Sequence, residues 1–168
     1  MTGTASQSRR SVVFVCHANI CRSPMAEAIF RHIAASADMS ERFSIDSAGV
    51  MAMEGARPHP YTVDTCAAHG IEAAGAARQL LRRDLFESDH IILADSDNRR
   101  RLEQLMGPSA FGKLPDTRAK IRLLREVPTS PEESSLDLFD PIRGGPEQFE
   151  ACFAVVDRCC RALLEELS

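Results

Sequence analysis

The chain has 168 residues, of which 44% are hydrophobic and 26% charged, and its formal net charge at pH 7 is −4. This length and balance are typical of one globular domain with a single core, and they exclude a disordered or collagen-like chain. Acidic residues outnumber basic ones, whereas proteins that bind nucleic acid usually carry a basic face. No apolar run in the sequence is long enough to span a membrane. We expect a monomeric cytoplasmic protein with a flexible N-terminus at residues 1–10 and one domain at residues 11–168.

Strands and helices alternate along the chain. A β-branched apolar run predicts a first strand that is buried on both faces, and apolar residues at Met25, Ile29 and Ile33 predict a helix after it. The complete series in chain order is a strand at Ser11–Val15, a helix from Pro24 to about Ala37, a strand at Phe43–Ser47, a helix from Pro60 to His69, a strand at His90–Ala94, a helix at Ser96–Leu105, a strand at Ala119–Leu124, a loop at Thr129–Ser135, and a helix from Pro146 to about Leu167. The alternation predicts an α/β fold in a single domain, with a doubly wound four-stranded parallel sheet flanked by helices on both faces.

The segment after the first strand is the most informative part of the chain. Cys16 ends that strand, and Arg22 and Ser23 follow six and seven residues later, where the first helix begins. Ligands of open α/β sheets bind beyond the carboxyl ends of the strands, and the amides of residues 17–22 could form an anion-binding nest there. Arg22 could bind two oxygens of a phosphate, and a Cys16 thiolate beneath the phosphorus would suit covalent phosphoryl transfer. Ser23 could donate a hydrogen bond to the sulfur.

The six cysteines do not have the paired spacing of a structural zinc site. They stand at Cys16, Cys21, Cys66, Cys152, Cys159 and Cys160. Without an export signal we expect reduced thiols, no metal and no cofactor, so that any cysteine chemistry is nucleophilic or redox. Cys152 and Arg158 repeat the separation of Cys16 and Arg22, but they fall inside a predicted helix whose amides are already bonded.

Several segments in the same order resemble the low-molecular-weight protein tyrosine phosphatases, over roughly residues 11–167. They are Cys16–Pro24, Asp46–Gly49, His69–Ile71, Ala77–Leu80, Ala94–Asp95 with Asn98, Asp140–Pro141 with Gly144–Gly145, and Arg158–Leu164. The resemblance implies a four-stranded parallel sheet flanked by helices. It also implies hydrolysis of phosphotyrosine and aryl phosphates through a cysteinyl-phosphate, with Cys16 as the nucleophile, Arg22 as the phosphate clamp and Asp140 as the general acid. From the residues alone, Asp140 could equally be a turn-forming aspartate before Pro141, with Asp137 and then Asp116 as fallback acids.

The resemblance also assigns roles around the loop. Substrate-binding residues would be His17, Ala18, Asn19, Ile20, Cys21, Ser23, Met53 and Ile142. Asn19, Ser47 and His69 would form the supporting hydrogen-bond network, and Cys21 would trap an oxidised Cys16 as a disulfide. Three residues depart from the family pattern: Ala18 replaces the usual glycine, which matters if that position needs a positive φ, and Met53 and Ile142 replace larger or aromatic side chains.

Three alternatives remain open. The chain could be an inactive phosphate- or phosphotyrosine-binding module, as the departures at Ala18 and Ile142 would allow. It could be a phosphoarginine phosphatase, although the family member with that preference carries a small polar residue in place of Ile20. An arsenate reductase would need two further downstream cysteines, and residues 67–151 contain none. We expect a phosphotyrosine-containing protein as substrate and phosphate-like anions as inhibitors.

Overall fold

The computed structural model describes residues 8–105, 107, 117–127 and 135–168. Most of the predicted N-terminal segment, most of the predicted loop at 129–135, and the fallback acid Asp116 therefore lie outside the described residues. The main elements are β1 (Arg10–Cys16), α1 (Arg22–Ser36), β2 (Phe43–Gly49), α2 (Pro60–Ala68), α3 (Asp84–Glu87), β3 (His90–Leu93), α4 (Ser96–Leu105), β4 (Lys120–Leu123) and α5 (Pro146–Leu167). Short 3₁₀ turns stand at Ser40–Arg42, Leu124–Glu126 and Pro141–Arg143.

The four strands form one parallel sheet in the order β2-β1-β3-β4. The predicted α/β fold is confirmed, and every predicted strand and helix is present with small shifts at its ends. β1 is a central strand, and its residues 12–16 are all buried, as its apolar run predicts. The register pairs Cys16 with Gly49, so the carboxyl ends of β1 and β2 lie side by side.

Helices cover both faces of the sheet, and each face has its own apolar core. One core packs α1 and α5 on the sheet through large buried side chains such as Phe14, Phe30 and Phe149. The other packs α3 and α4 on the opposite face around Val13 and Leu93. In the described part of the chain, no helix combines the length and the apolar character needed to cross a membrane.

Two differences from the predicted elements have local causes. α1 begins at Arg22, so Pro24 is the third residue of the helix and not the first. A proline is tolerated there because the amides of the first helical turn have no partner within the helix. α3 is a four-residue helix that the sequence pattern does not predict, since four residues are too few to show an apolar period.

The end of α2 agrees with the prediction. It lies beside Gly70, whose φ of 73° is the left-handed conformation expected after a helix.

Candidate active site

The loop of residues 16–22, between β1 and α1, is held from outside through its carbonyl groups. The carbonyl oxygens of Cys16, His17, Ala18 and Ile20 accept hydrogen bonds of 2.7–3.0 Å from the amides of Val50, Met51, Met53 and His59, respectively. The amides of residues 17–21, in contrast, donate no hydrogen bond to any residue that the structure describes. Free amides in a tight loop at a helix N-terminus can together hold a tetrahedral anion.

The left-handed turn of this loop falls at Asn19 and not at Ala18. Asn19 has a φ of 60°, and the only other non-glycine residue with a positive φ in the described chain is Asp38. Asparagine tolerates this conformation better than most residues do. Alanine in place of the family's usual glycine at position 18 therefore introduces no backbone strain of this kind.

The position that does require glycine is Gly49, at the end of β2. A Cβ atom there would lie 2.7 Å from the carbonyl oxygen of His17 and 2.9 Å from the amide nitrogen of Asn19. Both atoms belong to the backbone, which cannot move aside as a flexible side chain can. Gly49 thus allows β2 to pack directly against the loop.

A chain of side-chain hydrogen bonds starts at the sulfur of Cys16. Its Sγ lies 2.9 Å from Ser23 Oγ, which also accepts a bond of 2.8 Å from Asn19 Nδ2. The same amide group donates to Ser47 Oγ at 3.0 Å, and the Ser47 hydroxyl donates to Glu27 Oε2 at 2.5 Å. The structure thus joins Asn19 and Ser47, two residues of the predicted network, to Ser23, and it adds Glu27, which the sequence analysis did not name.

The backbone of Arg78 completes the support of Asn19. Its amide donates to Asn19 Oδ1 at 3.0 Å, and its guanidinium binds Asp46 at 2.9 Å and both carboxylate oxygens of Asp84 at 3.0 and 3.1 Å. Burial alone would lower the pKa of Arg78, but Asp84 and Asp46 raise it above its usual value. Arg78 is therefore a fixed cation that holds its own backbone in position behind the loop.

The guanidinium of Arg22 is 3% exposed and points toward three oxygen atoms. Its Nη1 donates to Asp95 Oδ2 and to the carbonyl oxygen of Leu138, both at 2.7 Å. Its Nη2 lies 3.5 Å from Asp140 Oδ2. Burial acts to lower the pKa of Arg22, but Cys16, Asp95 and Asp140 outweigh it and raise the pKa. Arg22 thus remains charged beside the sulfur and can bind an anion in fixed geometry.

Asp140 is held at the mouth of the loop by its own turn. Its Oδ1 accepts a bond of 3.1 Å from the amide of Ile142, and its side chain is 41% exposed. The amide of Leu138 donates to the carbonyl oxygen of Ala94 at 2.9 Å, and this bond ties the segment to the end of β3. Asp140 therefore faces Arg22 while one side of its carboxyl group remains open to solvent.

Asp137, the fallback acid, is engaged elsewhere. Its Oδ1 accepts bonds from the amide and the hydroxyl of Ser96 at 2.8 and 2.6 Å, at the start of α4. These bonds lower the pKa of Asp137. Its position at the end of a helix makes Asp137 an anchor for the segment that carries Asp140.

A pocket of about 80 Å³ opens above Cys16. It is lined by Cys16, His17, Ala18, Ile20, Cys21, Arg22, Asp140 and Ile142. Seven of the predicted site residues thus surround the same space as Cys16, and Asn19 and Ser23 support the loop from behind. Met53 is not part of this lining: its side chain is 56% exposed, and its contact with the loop is the bond from its amide to Ala18.

Comparison with known proteins decides the family of the chain. A family model described as low molecular weight phosphotyrosine protein phosphatase matches residues 11–168. The chain belongs to this family. The low molecular weight phosphotyrosine protein phosphatase of Pongo abelii is 37% identical over 163 residues, which are 96% of this chain and 98% of that protein.

Solved structures agree with this assignment. YfkJ from Bacillus subtilis is 33% identical, with a TM-score of 0.80 over 96% of each chain. The Drosophila arginine phosphatase DARP is 27% identical, with a TM-score of 0.81 over 94% of this chain and 97% of that one. The resemblance to the low-molecular-weight phosphatases that the sequence motifs predict is therefore confirmed.

One residue that this resemblance assigns to the loop lies elsewhere. His69 follows α2, its ring stacks on Phe153 at 3.9 Å, and its Nε2 lies 2.6 Å from Glu150 Oε1. Both partners belong to α5. The prediction that His69 supports the phosphatase loop is therefore wrong, because its ring is used to join two helices.

Cys21 lies in the low-molecular-weight phosphatase loop as a buried neutral thiol. Burial, with the nearby charges of Cys16 and Asp140, raises its pKa to about 12. All six cysteines of the chain are buried, and none forms a disulfide. Burial also raises the pKa of Cys66 to about 11 and that of Cys152 to about 12, so these thiols are poor nucleophiles.

Proposed function

We propose that the chain is a cysteine-dependent protein tyrosine phosphatase that hydrolyses phosphotyrosine and aryl phosphates through a phosphocysteine at Cys16. The observation that carries this proposal is the pocket itself. It brings together the Cys16 thiol and the buried Arg22 guanidinium, which belong to one loop, and the half-exposed Asp140 carboxyl group, which belongs to a distant segment. The amides of that loop donate to no residue that the structure describes. The charge of the phosphoryl group is then met by Arg22 and the amides, so the mechanism requires no metal and no cofactor.

In the first step, the Cys16 thiolate attacks the phosphorus atom and the bond from phosphorus to the tyrosyl oxygen breaks. Asp140, protonated, donates its proton to that oxygen as it leaves, and such acid catalysis contributes about 10²–10⁴ in rate. Arg22 and the amides of residues 17–21 stabilise the three equatorial oxygens throughout. The products of this step are tyrosine and the phosphorylated Cys16.

In the second step, the Asp140 carboxylate takes a proton from a water molecule, and the oxygen of that water attacks phosphorus. The phosphorus–sulfur bond breaks, inorganic phosphate leaves and the thiolate returns. The Ser23 hydroxyl, 2.9 Å from the sulfur, donates a hydrogen bond that stabilises the departing thiolate. Asp140 ends the cycle protonated, as it began.

The apolar rim supports an aromatic substrate. Ile20 and Ile142 line the pocket, and aliphatic side chains can pack on a phenyl ring. Similarity to DARP makes a phosphoarginine substrate the alternative that the experiment must include. Orthophosphate and vanadate would compete for the same loop. We further propose that a peroxide oxidises the Cys16 thiolate to a sulfenic acid, and that the Cys21 sulfur then bonds to the Cys16 sulfur while the sulfenic hydroxyl leaves as water with the Cys21 proton. We also propose that the enzyme is a monomer and that it is cytoplasmic, since its six free thiols suit a reducing compartment.

The test compares hydrolysis of phosphotyrosine and phosphoarginine peptides in the presence of EDTA. We expect turnover of the phosphotyrosine peptide that is abolished in Cys16→Ser and falls about 10²–10⁴-fold in Asp140→Asn. Asp137→Asn is the matched control, because it removes the same charge from the same segment, and it should keep most of the activity. Binding of orthophosphate without any turnover would favour the binding module, and a preference for phosphoarginine would overturn the proposed substrate.

A further inference from the structure

A second charged cavity lies at the amino ends of the strands, and we call it the amino-edge basin. Arg10 begins β1, His90 begins β3 and Lys120 begins β4, and the register places His90 directly beside Lys120. The basin has a volume of about 580 Å³. Because β1 has seven residues, the basin is about 20 Å from Cys16. It is therefore distinct from the phosphatase pocket.

Cationic side chains outnumber carboxylates in this basin. The charged residues that line it are Arg10, Arg118, Lys120 and Arg122 on the positive side, and Asp89 and Glu166 on the negative side. Both carboxylates are already paired, Asp89 with Arg118 at 2.8 Å and Glu166 with Arg122 at 2.6 Å. Among the residues that the structure describes, these ion pairs therefore leave two positive charges in the basin without a compensating carboxylate.

The two surplus charges belong to Arg10 and Lys120. Arg10 donates to the carbonyl oxygen of Leu167, which is an uncharged partner. Lys120 is exposed and forms no salt bridge with a residue in the described ranges. Both cations lie near His90. Burial and the charges of Arg10 and Lys120 lower the pKa of His90, whereas Asp89 acts to raise it. The basin is thus a region of positive potential on an otherwise acidic protein.

We propose that the amino-edge basin binds an anion with two or more linked phosphate groups. The positive charges are spread over three neighbouring strands, which suits an extended anion better than a single phosphate. Arginine guanidinium groups bind phosphate oxygens in pairs, and Lys120 adds a mobile point charge. The volume of the basin accommodates several phosphate groups, in contrast to the pocket above Cys16.

Calorimetric titration with inorganic tripolyphosphate tests this site, with the phosphatase pocket filled by saturating orthovanadate. We expect one binding site, and about 10-fold weaker binding in Lys120→Glu, because the substitution reverses a charge beside the anion. Arg100→Glu is the control. Arg100 is exposed on α4 and does not line the basin, and its substitution changes the net charge by the same amount. It should leave the affinity nearly unchanged.

Absence of binding to the native chain would overturn the proposal, as would equal losses in Lys120→Glu and Arg100→Glu. Arg10→Ala gives a second, independent measurement and should also weaken binding, and thermal unfolding verifies that each variant is folded. A parallel titration with ATP distinguishes the sources of the ligand. If ATP binds at least as tightly as tripolyphosphate, the proposal holds and the ligand is a nucleotide. If tripolyphosphate binds more tightly than ATP, the proposal holds and the ligand is an inorganic polyphosphate.

Discussion

Substitution of Gly49 by alanine should damage the phosphatase loop more than its small size suggests. The new Cβ would lie 2.7 Å from His17 O, 2.9 Å from Asn19 N and 3.0 Å from Ala18 C, against an ordinary contact distance of 3.4 Å or more. The loop or the end of β2 must therefore retreat by several tenths of an ångström. Overpacking of this kind costs about 1–3 kcal/mol, and a displacement of about 1 Å near reacting groups can cost about 10²-fold in rate.

We therefore expect Gly49→Ala to lower kcat/KM for an aryl phosphate by about 10- to 100-fold, with a loss of about 1–3 kcal/mol in the free energy of unfolding. Steady-state kinetics and urea denaturation measure the two effects. Gly145→Ala is the matched control, because its Cβ would meet only Gln148 Oε1 at an ordinary 3.7 Å. Full activity of Gly49→Ala, or a loss no larger than that of Gly145→Ala, would refute the proposed role of this contact.

Three further substitutions or treatments follow from the geometry. Ala18→Gly should change kcat/KM by less than about twofold, because the left-handed turn lies at Asn19; a large gain in activity would show that alanine strains the loop. Asp137→Ala should reduce the free energy of unfolding by about 1 kcal/mol through its lost bonds to Ser96, while the pH profile of kcat/KM keeps its shape. Loss of the alkaline limb, on which activity falls as a general acid loses its proton, would make Asp137 the acid. At pH 8 iodoacetamide should leave Cys21 of the native chain unmodified, since its pKa is about 12, and mass spectrometry of the peptides would detect a contrary result.

Local pattern was sufficient to predict the four strands, every helix except the short α3, and the loop around Cys16. The apolar run of β1 and the six-residue spacing from Cys16 to Arg22 predict a strand, a loop and a helix. These elements depend on residues close together in the sequence, and the structure contains all three. Asp140 could be recognised only through the family resemblance, because 118 residues separate it from Arg22, the guanidinium that it meets. The structure separates the roles of Asp140 and Asp137 because Asp137 is bound to Ser96, which is 41 residues away in the sequence.

The errors and omissions concern long-range side-chain contacts. His69 shares its sequence neighbourhood with family motifs, but its ring packs on Phe153, which no local pattern indicates. Glu27 lies one helical turn after Ser23, so helical spacing could have placed it on the same side of α1. Its partner Ser47, 20 residues away, became known only from the fold. Arg78 acts through its backbone amide, and a side-chain motif does not reveal that role.

The central claim is that the phosphoryl group passes through the sulfur of Cys16. Its most direct test is a rapid acid quench of the enzyme during turnover of an aryl phosphate, followed by mass spectrometry of the peptides. The mechanism predicts one phosphoryl group on Cys16 during turnover, with none in Cys16→Ala, which has no nucleophilic atom at that position. Rapid turnover without a phosphorylated enzyme, or a phosphoryl group on another residue, would contradict it.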